Sequence, residues 1–277
     1  QFLGFPEAKT TPEFKNIHYN IGYAHFKLKE YEQAATQFQS YIDASKDDKV
    51  RLNDSYLRMG DCYFVTSKYW PALEAYNKAI ELKGVDADYA TYQKALSYGF
   101  VNKNDKKIED LNTFLKSYPK SQYRDDALFE LGNTYTNQNK TDLAIKTYDQ
   151  LINEYKNGSF AAKAILRQGL IYYNDNKPQL AITKLKKVAA DYPRTPEAME
   201  AVTTARQIYV DTGNGIRPEA GVGGNVHAVY LDNLYDASAD PLGLRAQASA
   251  MGRDDRGQWF NAVESAIIDA GFDGVYI

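Results

Sequence analysis

The chain has 277 residues, 44% hydrophobic and 25% charged, with a net charge of -3, a balance that gives a folded chain no overall pull toward nucleic acid or anionic lipid. No apolar run approaches the roughly 20 residues a membrane-spanning helix needs, and a single cysteine, Cys62, excludes an internal disulfide framework. The three histidines, His18, His25 and His227, are scattered, so no metal-ligand set of familiar spacing forms and no cofactor is expected.

The opening stretch Gln1–Pro6 has neither an initiator Met nor a signal-peptide layout. It reads as a cut inside a longer protein, with any targeting signal outside this chain. Beyond it, four glycines recur in like contexts: Gly22 in YNIGYAHF, Gly60 in LRMGDCYF, Gly132 in FELGNTYT and Gly169 in LRQGLIYY. The steps are 38, 72 and 37 residues, and the 72 predicts a degenerate unit near residue 96, where YQKALSYGF puts Leu96 in the glycine's place.

Each unit reads as two amphipathic helices, A and B, with apolar residues at three- and four-residue spacing. In the first unit the slots hold Ile21, Gly22, Tyr31, Ala34 and Phe38, with His25 in an aromatic slot. In the second, Tyr56, Met59, Gly60 and Tyr63 mark helix A, and Tyr69, Ala72, Tyr76 and Ala79 mark helix B. Tiny residues such as Gly60 and Ala72 let antiparallel helices approach closely, and large ones fill the space beside them. The third unit departs, with Leu96, Gly99 and Ile108 in those places, which leaves the exact crossing of its helices open. The fourth holds Gly132, Tyr135, Ala144, Tyr148 and Leu151; the fifth holds Gly169, Tyr172, Ala181, Leu185 and Val188. A last helix is expected over Pro196–Asp211. Between units, Pro119 and Pro193 end helix B, and Ser121 and Thr195 are placed to cap the next helix A.

These residues resemble the tetratricopeptide repeat, with a small residue in each helix, aromatics at set offsets and a period of about 34. The resemblance covers about residues 12–212. It implies a mainly α fold: a right-handed α-solenoid of about five helix pairs plus a capping helix. The Tyr-Pro-x-Ser/Thr joints resemble those of bacterial cell-envelope repeat proteins, including the Tol-Pal-associated and outer-membrane-assembly lipoproteins. A periplasmic or outer-membrane-associated location follows as an expectation.

The family's stacked pairs form a groove lined by helices A. By register the lining comprises Tyr19, Tyr23, Phe26, Leu57, Asp61, Phe64, Gln93, Ser97, Phe100, Phe129, Asn133, Asn137, Leu166, Leu170 and Tyr173. An aromatic lining with a few amides suits an extended peptide or a helix, so the expected function is a non-catalytic scaffold binding another protein or peptide. Nucleic acid and direct membrane insertion are not expected. Some family members clamp a peptide's terminal carboxylate with a Lys/Asn/Asn/Lys/Arg set. Lys163 and Arg167 match its last two members, but Gln93, Ser97 and Glu130 stand in the other slots, and Glu130 would repel a carboxylate. That clamp is absent.

The composition changes at the end. Residues 214–277 contain no Lys, four Arg and nine acids, and hold nine of the 18 Gly. The segment divides as a Gly-rich joint over 213–225 and a small α/β tail over 226–277 of distinct origin, consistent with a fusion. In the tail, NVHAVYLDNLYD reads as a strand, DPLGLRAQASAMG as a short helix, and QWFNAVESAIIDAGFDGVYI as a helix entering a strand. Two stretches, VYLDNLYDASADPLGL and AIIDAGFDGVYI, resemble C-terminal domains of large polyvalent proteins of phages and mobile elements. The alternative function is therefore an ADP-ribosyltransferase-like or nuclease-like effector fragment delivered by the repeats, with no catalytic residue assignable. GVGGNV lacks the third glycine of a dinucleotide loop, and Asp232, Asp236 and Asp240 fall short of a full oxygen-ligand set.

Overall fold

The computed structural model describes residues 16–45 and 47–212. The joint and tail expected over 213–277 lie outside these residues, as does the opening stretch. Eleven α-helices occur among the described residues: α1 (Ile17–Lys27), α2 (Tyr31–Ala44), α3 (Lys49–Val65), α4 (Tyr69–Glu81), α5 (Ala87–Phe100), α6 (Asn104–Ser117), α7 (Arg124–Asn137), α8 (Thr141–Glu154), α9 (Ala161–Asn174), α10 (Pro178–Asp191) and α11 (Pro196–Asp211). That is five A/B pairs and a final single helix, the order expected from the sequence, with no strand among the described residues. The chain divides between Lys140 and Thr141 into two compact units.

One turn joins helix A to helix B in all five pairs. Lys29, Ser67, Asn102, Asn139 and Asn176 adopt positive φ, between 56° and 62°. In the second pair the Ser67 N–H donates to the Phe64 carbonyl and the Lys68 N–H to the Tyr63 carbonyl. Asn102 and Lys103, Asn139 and Lys140, and Asn176 and Lys177 repeat this pattern. It satisfies carbonyls that a helix end leaves unpaired. At the other end of a hairpin, Thr195 caps α11 as expected, its Oγ1 accepting from the Ala198 N–H at 3.1 Å. Ser121 does not cap a helix: its Oγ accepts from the Tyr123 N–H and donates to Asp88 on α5 at 2.6 Å.

The glycines work by close approach. A Cβ on Gly60 would lie 2.6 Å from the Tyr76 ring, on Gly22 2.9 Å from the Phe38 ring, and on Gly169 2.8 Å from Leu185. In each case the intruding side chain comes from helix B, 16 residues on, and Phe38, Tyr76 and Leu185 are fully buried. Burying such a side chain stabilises by roughly 1.5–3 kcal/mol. The third pair inverts the sizes. Leu96 takes the glycine position, and the position 16 residues on holds Asn112, whose amide donates to the Ile108 carbonyl at 2.8 Å. The larger residue on one helix faces a smaller one on the other by register, which resolves the crossing left open by the sequence.

In the first unit, one core cluster joins Ala34, Ala35 and Phe38 of α2 to Met59 and Cys62 of α3 and Ala75 of α4. Another joins Leu57 of α3, Ala72, Tyr76 and Ala79 of α4, and Ala90 of α5. A third joins α5, α6 and α7 through Tyr92, Leu111, Phe114, Ala127 and Leu131. Each hairpin thus buries its apolar stripe partly against the next, as repeats that lack an individual core must. In the second unit, Ile165 and Leu166 of α9, Leu185 and Val188 of α10, and Ala201, Ala205 and Ile208 of α11 form the core.

Candidate functional site

The face of α3 centred on Arg58 carries a polar cluster. The Arg58 guanidinium meets Asp61 at 2.6 Å and Asp54 at 3.3 Å, and lies 5.9 Å from the centre of the Phe26 ring. Two tyrosines of α1, Tyr19 and Tyr23, both donate to Asp54, the former at 2.8 Å. On the other side, Tyr76 of α4 and Tyr89 of α5 donate to Asp61 at 2.9 and 2.8 Å. Burial pushes the Asp61 carboxyl up, opposed by the Arg58 charge and the two tyrosine hydroxyls. Burial alone would lower the Arg58 guanidinium, but the charges of Asp61 and Asp54 outweigh it and raise its pKa. A buried ion pair satisfied on every side specifies geometry more than it adds stability. This cluster locks the first three hairpins in register; it offers no open coordination.

Beside it lies a groove of about 330 Å³, lined by Phe64 of α3, Leu96, Gly99 and Phe100 of α5, Asn104 and Lys107 of α6, and Glu130, Thr134 and Asn137 of α7. Its aromatic wall is ordered by ring contacts. Phe100 stacks on Tyr69 at 4.5 Å with 9° between planes, and meets Phe64 edge-on at 5.4 Å. Across the groove Lys107 reaches Glu130 at 2.7 Å. Gly99 makes that reach possible, because a Cβ there would lie 3.1 Å from the Lys107 stem. The result is an apolar floor under a polar rim whose charges cancel.

Of the lining residues expected from register, Phe64, Phe100 and Asn137 line this groove. Others need correction. Leu57 and Leu166 are core residues, 0% and 5% exposed. Asp61 is 7% exposed, closed off by Tyr76, Tyr89 and Arg58. Ser97 is fully buried and its hydroxyl donates back to the Gln93 carbonyl. Tyr19 and Tyr23 pack edge-on against Phe38 and anchor Asp54. Phe26 packs edge-on against Tyr31 at 5.7 Å. Gln93, Phe129 and Asn133 are half-buried. In the second unit, Leu170 and Tyr173 pack on the core, and the Tyr173 hydroxyl donates to Asp211. Lys163 and Arg167 are exposed, and Glu130, which breaks the carboxylate clamp, is the partner of Lys107.

The groove residues missed by register are Leu96, Gly99, Asn104, Lys107, Glu130 and Thr134. The signal for some was present: Gly99 stands in a helix pattern where an aromatic was expected. No group of three His, Cys, Asp or Glu that would hold a metal occurs among the described residues. Cys62 is buried and its thiol is pushed up to about 12, chiefly by burial and then by the Asp61 charge, the environment of an inert cysteine.

Two models of the tetratricopeptide repeat match the sequence, one over residues 126–158 and 163–195, the other over 7–49. These are tetratricopeptide repeats. The matched segments span the fourth and fifth helix pairs and most of the first. Among solved structures, MamA is similar with a TM-score of 0.56 and 20% identity, covering 65% of this chain and 93% of MamA. A tetratricopeptide repeat protein from Parabacteroides merdae gives a TM-score of 0.59 at 13% identity, covering 73% and 74%. YrrB, described as a TPR protein with an unusual peptide-binding site, gives 0.52 at 17% identity, covering 66% and 89%. At such identities the likeness is one of fold. No curated protein matches the sequence.

Proposed function

We propose that this tetratricopeptide repeat chain is a non-catalytic interaction scaffold, and that the groove between α3, α5, α6 and α7 holds a segment of a partner protein. The observation that carries this reading is the groove's construction: Phe64, Leu96 and Phe100 form an apolar wall, and Asn104, Thr134 and Asn137 supply amides and a hydroxyl at its rim. Its volume of about 330 Å³ is at the small end of ligand pockets, roughly 300–1,000 Å³. That suits one or two anchoring side chains of an extended peptide or helix, with the backbone held by the rim. Because Lys107 and Glu130 neutralise each other, the favoured segment is apolar or aromatic at its anchor. A bacterial cell-envelope location belongs to the same proposal and rests on the Tyr-Pro-x-Ser/Thr joints.

Selection of a displayed random-peptide library on the whole chain tests the reading. Enriched peptides should carry a large apolar residue and lose binding to Phe64→Lys and Phe100→Lys variants whose helical circular dichroism is unchanged. Peptides that bind both variants as well as the parent would show that the groove is not the site.

A further inference from the structure

We propose a second interaction surface: the edge of the first unit formed by its A-to-B turns, which docks on an anionic lipid bilayer. The turns at Lys29, Ser67, Asn102 and Asn139 lie on one edge, as contacts between successive hairpins there show. Lys68 pairs with Glu32 at 2.6 Å, Tyr69 stacks on Phe100, and Gln138 donates to Asp105 at 3.1 Å.

Two features coincide along this edge. The first is exposed apolar surface: Leu28 is 68% exposed, Val65 56%, Trp70 56% and Phe100 57%, each within three residues of a turn. The second is uncompensated positive charge. Lys27, Lys29, Lys103 and Lys140 are exposed, and none has an ion-pair partner among the described residues. The acids nearby are engaged: Glu30 with His25, Glu32 with Lys68, Glu109 with Lys106, and Asp105 with Gln138. The opposite edge differs, since its exposed Val50 and Val85 stand among Asp47, Asp48 and Asp86.

Cations beside Trp, Phe and Leu form the pattern that seats proteins at the headgroup level of anionic membranes. A row of protruding turns meets a planar surface more readily than it encloses a peptide. The overall charge of -3 gives no global attraction, so binding depends on this edge facing the bilayer. No helix among the described residues is long and apolar enough to cross a membrane; the contact is shallow. Each unpaired lysine held near an anionic leaflet strengthens partition roughly fivefold.

The test uses the full chain with Trp259→Phe, which leaves Trp70 as the single tryptophan, and vesicles of phosphatidylglycerol with phosphatidylethanolamine. At low ionic strength the protein should sediment with these vesicles and not with phosphatidylcholine vesicles, and Trp70 emission should shift to the blue. Replacing Lys27, Lys29, Lys103 and Lys140 together by Gln should weaken partition on the order of a hundredfold or more. Leu28→Ser combined with Leu28-independent Trp70→Ser should reduce it without affecting peptide capture, because neither residue lines the groove. Failure to sediment with anionic vesicles, equal sedimentation with both vesicle types, sedimentation without the blue shift, or binding indifferent to the four lysines would each overturn the proposal. Binding of an acidic peptide at this edge in place of lipid would overturn the lipid assignment. Peptide capture by the groove is read separately, so either proposal can fail alone.

Discussion

Replacing Gly60 by Ala separates helix propensity from packing. Propensity alone favours the change, since Ala is about 1 kcal/mol better than Gly in a helix interior. The new Cβ would sit 2.6 and 2.7 Å from two carbons of the Tyr76 ring, inside any tolerable contact, and Tyr76 is fully buried. The ring has nowhere to move without disturbing its hydroxyl, which donates to Asp61 at 2.9 Å. Overpacking costs typically 1–3 kcal/mol, and weakening a hydrogen bond to a charged group adds about 1.5–3 kcal/mol. Net of propensity, a loss of about 2–4 kcal/mol is expected. Gly99→Ala is the internal control. Its Cβ meets only the flexible Lys107 stem, at 3.1 Å, so it should be neutral or stabilising by up to about 1 kcal/mol. Urea unfolding followed by far-ultraviolet circular dichroism should therefore place the two variants about 3 kcal/mol apart. Equal stability for the two would refute the claim that the repeat glycines exist for close approach.

The other expectations are smaller in scope. Ser67 holds φ of 59°, a left-handed conformation that strains a residue with a Cβ, so Ser67→Gly should raise stability by about 0.5–1 kcal/mol in the same unfolding assay. Asp61→Ala leaves Arg58 half-paired and strands the hydroxyls of Tyr76 and Tyr89, and should cost about 3 kcal/mol. The Asp61 carboxyl is raised by burial above its unfolded value, so the folded state holds its proton more tightly. Its contribution to stability therefore falls as pH rises from the ordinary carboxylate range through that raised value. Asp61→Asn should flatten the decline across that window, measured as urea midpoints in a pH series, while lowering stability at neutral pH.

What could be read from the sequence follows from how local each feature is. The helix pairs were legible because Gly22, Gly60 and Gly169 each find their large partner 16 residues on, within one hairpin. The turn residues were less so: Asn102, Asn139 and Asn176 are natural left-handed residues, but Lys29 and Ser67 are not, and only the hydrogen-bond pattern shows the shared turn. Gly84 went unread because the group it accommodates, the Asn53 amide 2.1 Å from its notional Cβ, comes from the preceding helix and is itself buried against the Ala79 carbonyl. The lining was misread at Leu57 and Leu166 for a physical reason. A helix A inside a stack touches its own helix B and the neighbouring hairpins, so most of its circumference is buried. Amphipathic spacing does not say which apolar residue faces open space. Asp61 misled similarly, since an acid is ordinarily exposed and its tyrosine partners lie 15 and 28 residues away.

The groove itself is tested most directly by photo-crosslinking a peptide from the library selection to the chain, with a crosslinking residue placed in turn at Leu96, Asn137, Thr36 and Ser40. Leu96 and Asn137 line the groove, whereas Thr36 and Ser40 line a separate cleft beside α2. Adducts at the first two positions and none at the last two are the expected result; adducts at Thr36 or Ser40, with Leu96 and Asn137 silent, would contradict it.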